Sequence, residues 1–558
     1  MRSKPIRVLL AVILSLGPAS CGGDRGPPGA RAEGLGSLRF PTSAAGEAQA
    51  RFLRGLAALH SFWYEEAVAS FQEAERLEPR FALAYYGEAL AHDEVWMWMP
   101  AAEGRAILAK LAPTRETRLA LAPTEREKAY AAAVEELFAE DDFVGRNRAF
   151  EQAMEDLAER YPDDLEARAL LAQALLRTLD VWAVRDTAVM LRAGAVAESV
   201  LARNPDHPGA LHYLIHAYDT PEFASRALDA ARRYGRVAPE APHAVHMPSH
   251  IFLQLGLWDE AISANRAAWE VSTAWSGRTG RRLGGLDYHA IEFLYYALLQ
   301  EGRYEEALDV WRSHIKEALE GEDEWPSWAG RWYYDRLAML ALEAERREVI
   351  PDPLPARAQE PPIWYALGAL AARSGRVAEA RGWHRRLVGV IENEEEGSVE
   401  WKRARIIALE LEALIRSSGH EPDQAVAAAA EAADLMAQLG PQSELPDPIQ
   451  PVHELYGQVL LAAARAAEAE EQYREALRLM PNRPAALLGA ARAARAAGHG
   501  EAARRFYDRL LRTWAKADVG LAALEEARAA AGRVDAAGRV RADEASAAVP
   551  PGAGGRSG

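Results

Sequence analysis

Apolar residues recur at every third or fourth position through nearly all of the chain beyond residue 42, on a background of Ala, Leu, Glu and Arg. That interval is the repeat of one face of an α-helix, so the pattern predicts a long series of amphipathic helices. Runs of β-branched residues bounded by turns, which would signal strands, are scarce. The helices also fall into a frame. Residues 64–79 (Y-E-E-A-V-A-S-F-Q-E-A-E-R-L-E-P) place Ala67, Phe71, Ala74 and Pro79 at spacings of four, three and five. Residues 466–481 repeat it with Ala469, Tyr473, Ala476 and Pro481, and Ala503, Tyr507 and Leu510 follow 34 residues later. Further copies open at Gly256 (G-L-W-D-E-A), Gly302 (G-R-Y-E-E-A) and Gly375 (G-R-V-A-E-A).

This frame resembles the tetratricopeptide repeat, a unit of two antiparallel helices, A and B, and the resemblance covers about residues 42–535. Small Ala residues let helix B lie close on helix A, the aromatic fills the gap between units, and the Pro ends helix B. No unit buries its apolar face alone. The resemblance therefore implies an all-α, right-handed solenoid of stacked helix pairs with a concave groove lined by A helices. Thr124-x-x-Glu127 predicts a capped helix start. Pro351, Pro353, Pro355, Pro361 and Pro362 divide the expected solenoid into two sub-arrays, 42–350 and 351–535, and residues 536–558 read as a disordered tail.

Composition excludes several classes. With 49% hydrophobic and 26% charged residues in 558, the chain has the balance of a folded protein with a large core. A net charge of −17 argues against nucleic acid as a partner. The single cysteine rules out a disulfide framework and a thiolate zinc site.

That residue, Cys21, follows a positive segment (Arg2, Lys4, Arg7) and the apolar run Val8 to Leu16, which together predict an export signal over 1–20. The run is far below the roughly 20 residues that span a bilayer. The stretch L-G-P-A-S-C resembles a bacterial lipobox, with Pro18 departing from the usual Leu. The resemblance implies lipidation of Cys21, a flexible tether over 21–41, and a membrane-anchored protein of the bacterial cell envelope, periplasm-facing or on the outer surface. Plain secretion as a soluble or periplasmic protein is the alternative.

The chemistry concentrates in histidine. Six of the 14 histidines fall between 212 and 289: His212, His216, His243, His246, His250 and His289. His212/His216 and His246/His250 are both i, i+4 pairs, and they lie one 34-residue period apart, at positions 5 and 9 of the frame. His243 and His289 take position 2, and Glu292 takes position 5 of the next unit. Positions 2, 5 and 9 share one face of helix A. In tetratricopeptide domains that face lines the groove, where the familiar clamp for a peptide carboxylate uses Lys, Asn and Arg rather than His. The segments H-Y-L-I-H-A-Y-D-T-P (212–221) and A-P-H-A-V-H-M-P-S-H-I-F (241–252) resemble a group of bacterial tetratricopeptide proteins, which supplies a fold and no activity.

Three readings of the histidines stand side by side. They form a hydrogen-bonded polar network with Asp219 or Ser249, they coordinate a transition metal such as zinc, copper or iron, or they catalyse a reaction through a metal-bound water or a histidine base. His212, His216, His246 and His250 are the expected ligands, with His243, His289 and Glu292 as outer or alternate ones. Pro242 and Pro248 leave the rotation of His243 open.

An extra 12 residues enter the frame between Ala261 and Ala307, and S-G-R-T-G-R-R-L-G-G at 276–285 is the expected insertion. Its Arg278, Arg281 and Arg282 either close over an anionic ligand or belong to a solvated connector. V-W-M-W-M-P at 95–100 offers Met97 and Met99 as soft ligands, and packing accounts for it better. No H-E-x-x-H, G-x-S-x-G or phosphate-binding loop supports an enzyme. The expected function is an envelope-anchored scaffold that binds a protein or peptide partner in its groove. The alternative is a metal-binding protein with its site in the N-terminal array, extending to a metal-dependent enzyme.

Overall fold

The computed structural model describes residues 30–532, apart from 180–185, 281–285, 317–326, 441, 442, 444 and 448. The expected signal, Cys21, Arg281, Arg282 and the tail from 536 lie outside the described residues. From Gly46–His60 to Ala522–Ala530 the chain is a succession of helices, each packed mainly on its neighbours in sequence. Among the described residues the fold is all-α apart from one short hairpin, a solenoid of successive antiparallel helix pairs.

One device recurs along it. Phe71 is fully buried between Gly55 in Gly46–His60 and Gly87 in Ala82–His92. A Cβ would stand 2.8 Å from the Phe71 ring at Gly55 and 2.5 Å at Gly87. Tyr473 lies in the same way between Gly457 and Gly489, where the distances are 2.9 and 2.2 Å. The glycines let the aromatic of helix B fill the space between successive A helices. Gly87→Ala should therefore destabilise the protein by about 1–3 kcal/mol through overpacking. Gly277→Ala, on an exposed helical position with nothing within 4 Å, should be neutral or stabilising. Denaturant melts of both variants check this, and equal stability would remove the device.

Among the described residues the sheet is confined to an antiparallel hairpin, Ala30–Ala32 with Gly36–Leu38. From Ala30 on, the chain thus departs from the tether expected to residue 41. The reason is apolar: Leu35, Leu38 and Phe40 are buried against the helices. The hairpin clips onto two inter-helix turns. Ser37 N–H donates to the Asp206 carbonyl at 3.0 Å, Asn204 Nδ2 donates to the Ser37 carbonyl at 2.6 Å, and Glu240 N–H donates to the Gly34 carbonyl at 3.2 Å. Gly36 has φ +92°, and a side chain there would run into Val237 and the Asp206 carbonyl, so the site requires glycine.

Between Ser327–Glu343 and Pro361–Arg373 the proline-rich stretch forms only the short turns Arg347–Val349 and Ala356–Ala358. Helices beyond this break return to the earlier ones. Trp258 Nε1 donates to the Asn482 carbonyl, Asn482 Nδ2 to the Gly256 carbonyl, and Asp518 N–H to the Gly302 carbonyl. The buried Arg483 guanidinium spans Glu454, Glu343 and the Tyr296 hydroxyl.

Candidate metal centre

Pro208–Ala217 carries His212 and His216. The next A helix is in two pieces, Pro242–His246 and Pro248–Gln254. Pro248 has no N–H to bond the Ala244 carbonyl, which breaks the helix formally, yet Met247 keeps right-handed helical angles (φ −49°, ψ −36°). His243, His246 and His250 therefore stay on one side. His289 sits in the first turn of Tyr288–Gln300.

The six histidines divide into two sets of three: His212, His216 and His243, then His246, His250 and His289, with the ligand-type atoms of each set within 4.8 Å of one another. His243 and His289 join as members of the sets rather than as outer groups. The sets adjoin: ring centroids are 5.8 Å apart for His216 and His250, and 5.8 Å for His243 and His246. His212, His216, His246 and His250 are buried, and His243 and His289 stand at the solvent side.

The outer nitrogen of three rings fixes which way the inner one faces. His212 Nδ1 lies 2.7 Å from the backbone carbonyl of His60, which can only accept, so Nδ1 holds the proton. His246 Nδ1 lies 2.6 Å from Asn265 Oδ1, and Asn265 is oriented by its Nδ2 donating to the Ala261 carbonyl. His250 Nδ1 donates to Asp219 Oδ2 at 2.9 Å, while Asp219 Oδ1 accepts from Gln254. In all three rings Nε2 is left as a bare lone pair pointing inward.

Those lone pairs meet. His246 Nε2 and His250 Nε2 are 3.1 Å apart, and with both rings neutral neither has a proton to share. His212 Nε2, a single lone pair, faces His216 Nε2 at 3.0 Å and His243 Nε2 at 3.2 Å. Two nitrogens bound tetrahedrally at 2.0–2.1 Å to one ion would stand about 3.3 Å apart. Burial resists the alternative of filling the gap with a proton. It pushes the His212 ring down to about 3 and holds His243 and His246 well below the ordinary imidazole range.

Each set has an aromatic cover. Phe62 lies against all three rings of the first set, with centroids 4.4, 5.9 and 5.7 Å from His212, His216 and His243. Phe293 does the same for the second, at 5.0, 4.7 and 4.8 Å from His246, His250 and His289. Trp96 adds an edge contact to His216 at 4.7 Å. Phe62 and Trp96 both have left-handed backbones (φ +49° and +65°), and Phe62 stands at the turn between paired helices where other units carry Gly256, Gly302 and Gly375 in the same conformation. The aromatic stretch at 95–100 is thus split: Trp96 walls the site, whereas Met97 and Trp98 are 53% and 74% exposed.

Other expected residues lie further out. Asp219 orients His250. Glu292 is 3.5 Å from His289 Nδ1 and pairs with Arg336. Arg278 is exposed within the long helix Trp258–Thr279, which ends at the left-handed Gly280, so 276–279 of the expected loop are helical.

A third group was not foreseen: His60, Glu166 and His207, all buried. Here every proton has a place. His207 Nδ1 accepts from Ala210 N–H, so its Nε2–H donates to Glu166 Oε1 at 3.1 Å. Tyr213, accepting from Gln173, donates to His60 Nδ1 at 2.9 Å, so His60 Nε2–H donates to Glu166 Oε2 at 2.9 Å. This is a closed hydrogen-bond network, and its His60 carbonyl is the one that orients His212. Its members come from three distant segments, and the only local signal is His207 preceding Pro208 as a helix cap.

A family profile described as tetratricopeptide repeat matches residues 48–81. No curated protein matches the chain in sequence. Among solved structures, the human IFIT1 dimer with PPP-AAAA is similar at 13% identity, covering 83% of this chain and 90% of that one, with a TM-score of 0.34. Yeast Tom70 is similar at 12% identity, covering 87% and 88%, with a TM-score of 0.26. The matched stretch is one tetratricopeptide unit, and it includes the Gly55–Phe71 contact whose counterpart recurs at Gly457 and Tyr473.

Proposed function

We propose that this tetratricopeptide scaffold uses its groove to bind a transition metal, zinc, copper or iron, in the two histidine sets. One observation carries the reading: His246 and His250 point bare nitrogens at each other across 3.1 Å, with both of their protons committed to Asn265 and Asp219. Facing lone pairs repel, and a cation between them removes the repulsion. The fully satisfied His60–Glu166–His207 group shows the contrast, because its protons account for all of its contacts. The groove presents imidazole where a peptide-carboxylate clamp would present Lys, Asn and Arg, which favours an ion over a peptide terminus as its occupant. An envelope location through a lipid on Cys21 belongs to the same proposal and rests on residues 1–21.

The test is elemental analysis of the purified full-length protein, followed by titration with Zn²⁺, Cu²⁺ and Fe²⁺. At least one equivalent of metal is expected, with affinity sharply reduced in His250→Ala and the helical circular dichroism retained. Less than about a tenth of an equivalent, with no uptake on titration, overturns the reading.

A further inference from the structure

We propose that the two histidine sets hold a pair of copper ions that together take up one molecule of dioxygen. The inference rests on the metal reading above and adds the ion, its number and its ligand. Three features of the site lead to it.

The first is charge. Both sets consist of imidazoles alone, and no carboxylate or thiolate belongs to either. Carboxylates stand one step out: Asp219 behind His250, Glu292 between His289 and Arg336, and Asp287, whose charge is felt by His289 and His250. Two divalent ions would bring four positive charges into a buried site with little to balance them. Two cuprous ions bring two, and imidazole suits copper.

The second is proximity. His216 of one set touches His250 of the other, and His243 touches His246, with both pairs of ring centroids 5.8 Å apart. The sets share a wall, so ions held in them are neighbours.

The third is the open position. Three nitrogens leave a small ion one coordination position short of four, as in catalytic rather than structural sites. Phe62 and Phe293 cover the sets with apolar rings, and His243 and His289 sit where solvent reaches. The vacancy thus suits a small, weakly polar molecule. Each cuprous ion gives one electron, the O–O bond order falls from two to one, and the products are two cupric ions and one peroxide dianion held between them. No proton or further reductant is needed.

The experiment loads the full-length protein with cuprous copper without oxygen and then admits dioxygen. Two coppers should bind, one dioxygen should be consumed per two coppers, and the oxidised protein should be silent in electron paramagnetic resonance because the cupric spins couple. In His289→Ala, where the substituted ring is partly exposed, the first set should keep one copper, dioxygen uptake should be lost, and chemical oxidation should give an ordinary single-ion cupric signal. Saturation at one copper, a cupric signal accounting for both ions, or cuprous protein inert to dioxygen overturns the inference. If zinc binds and cuprous copper does not, the metal reading stands and this inference falls. If no metal binds, both fall.

Discussion

Taking the metal-free protein from about pH 7.5 to about pH 5.5 should lower its stability by about 4 kcal/mol. Burial, the largest cause in each case, holds His212, His243 and His246 below the ordinary imidazole value of 6.5 in the folded chain. In the unfolded chain these rings titrate normally. Below the ordinary value the unfolded state therefore binds protons that the folded state refuses, and stability falls as the pH falls. Each ring contributes about 1.4 kcal/mol over that interval. Glu166 acts in the same direction at lower pH. Burial alone would raise its pKa, but the two histidines beside it bring it well below the usual carboxylate value, so its contribution disappears as acid protonates the unfolded chain. Denaturant melts across the range check the slope. A flat profile between those pH values would mean that the rings are solvated, and the site as described would be wrong.

Glu166→Ala should cost about 2–5 kcal/mol, since it leaves two buried N–H groups, His60 Nε2 and His207 Nε2, without an acceptor. The effect should extend beyond stability. His60 is the last residue of Gly46–His60, and its carbonyl is one of those that a helix end leaves without an intrahelical partner; here His212 Nδ1–H supplies the bond. Loosening His60 loosens the ring that orients the first histidine set. Metal affinity should accordingly fall in Glu166→Ala, by less than the roughly ten- to hundred-fold that follows from losing a ligand's own outer partner. Unchanged affinity in a folded variant would show that His212 is oriented independently of this network.

The repeat was legible because its physics is local: a glycine or alanine every few residues, an aromatic, and a proline that stops the helix. The same frame put His212 with His216 and His246 with His250. It did not show how these pairs would divide. That division depends on Met247 staying helical before Pro248 and on the packing of Tyr288–Gln300 that sets His289 beside His246, with ring centroids 4.7 Å apart. Phe62 and Trp96 were not legible as walls of the site, because only the packing of distant helices brings their rings against the histidines. Glu166 reads locally as an ordinary first-turn acidic residue; only the fold carries it inward between His60 and His207. The hairpin at 30–38 was hidden by its small and polar composition, A-R-A-E-G-L-G-S-L, in which Leu35 and Leu38 are the only large apolar residues.

The return of the later helices onto the earlier ones has a mechanical meaning. An open solenoid behaves as a spring: each unit grips only the next, so small hinge motions add up and the inner groove widens and narrows. In this chain the turns at Gly256 and Gly302 are strapped to Asn482 and Asp518, and Arg483 is clamped between Glu343 and Glu454. A brace across several coils makes the spring stiff over that stretch. The pitch between the helices carrying His250 and His289 then cannot follow the bending of the rest, and the distances between their rings are set by the frame rather than by whatever enters the groove.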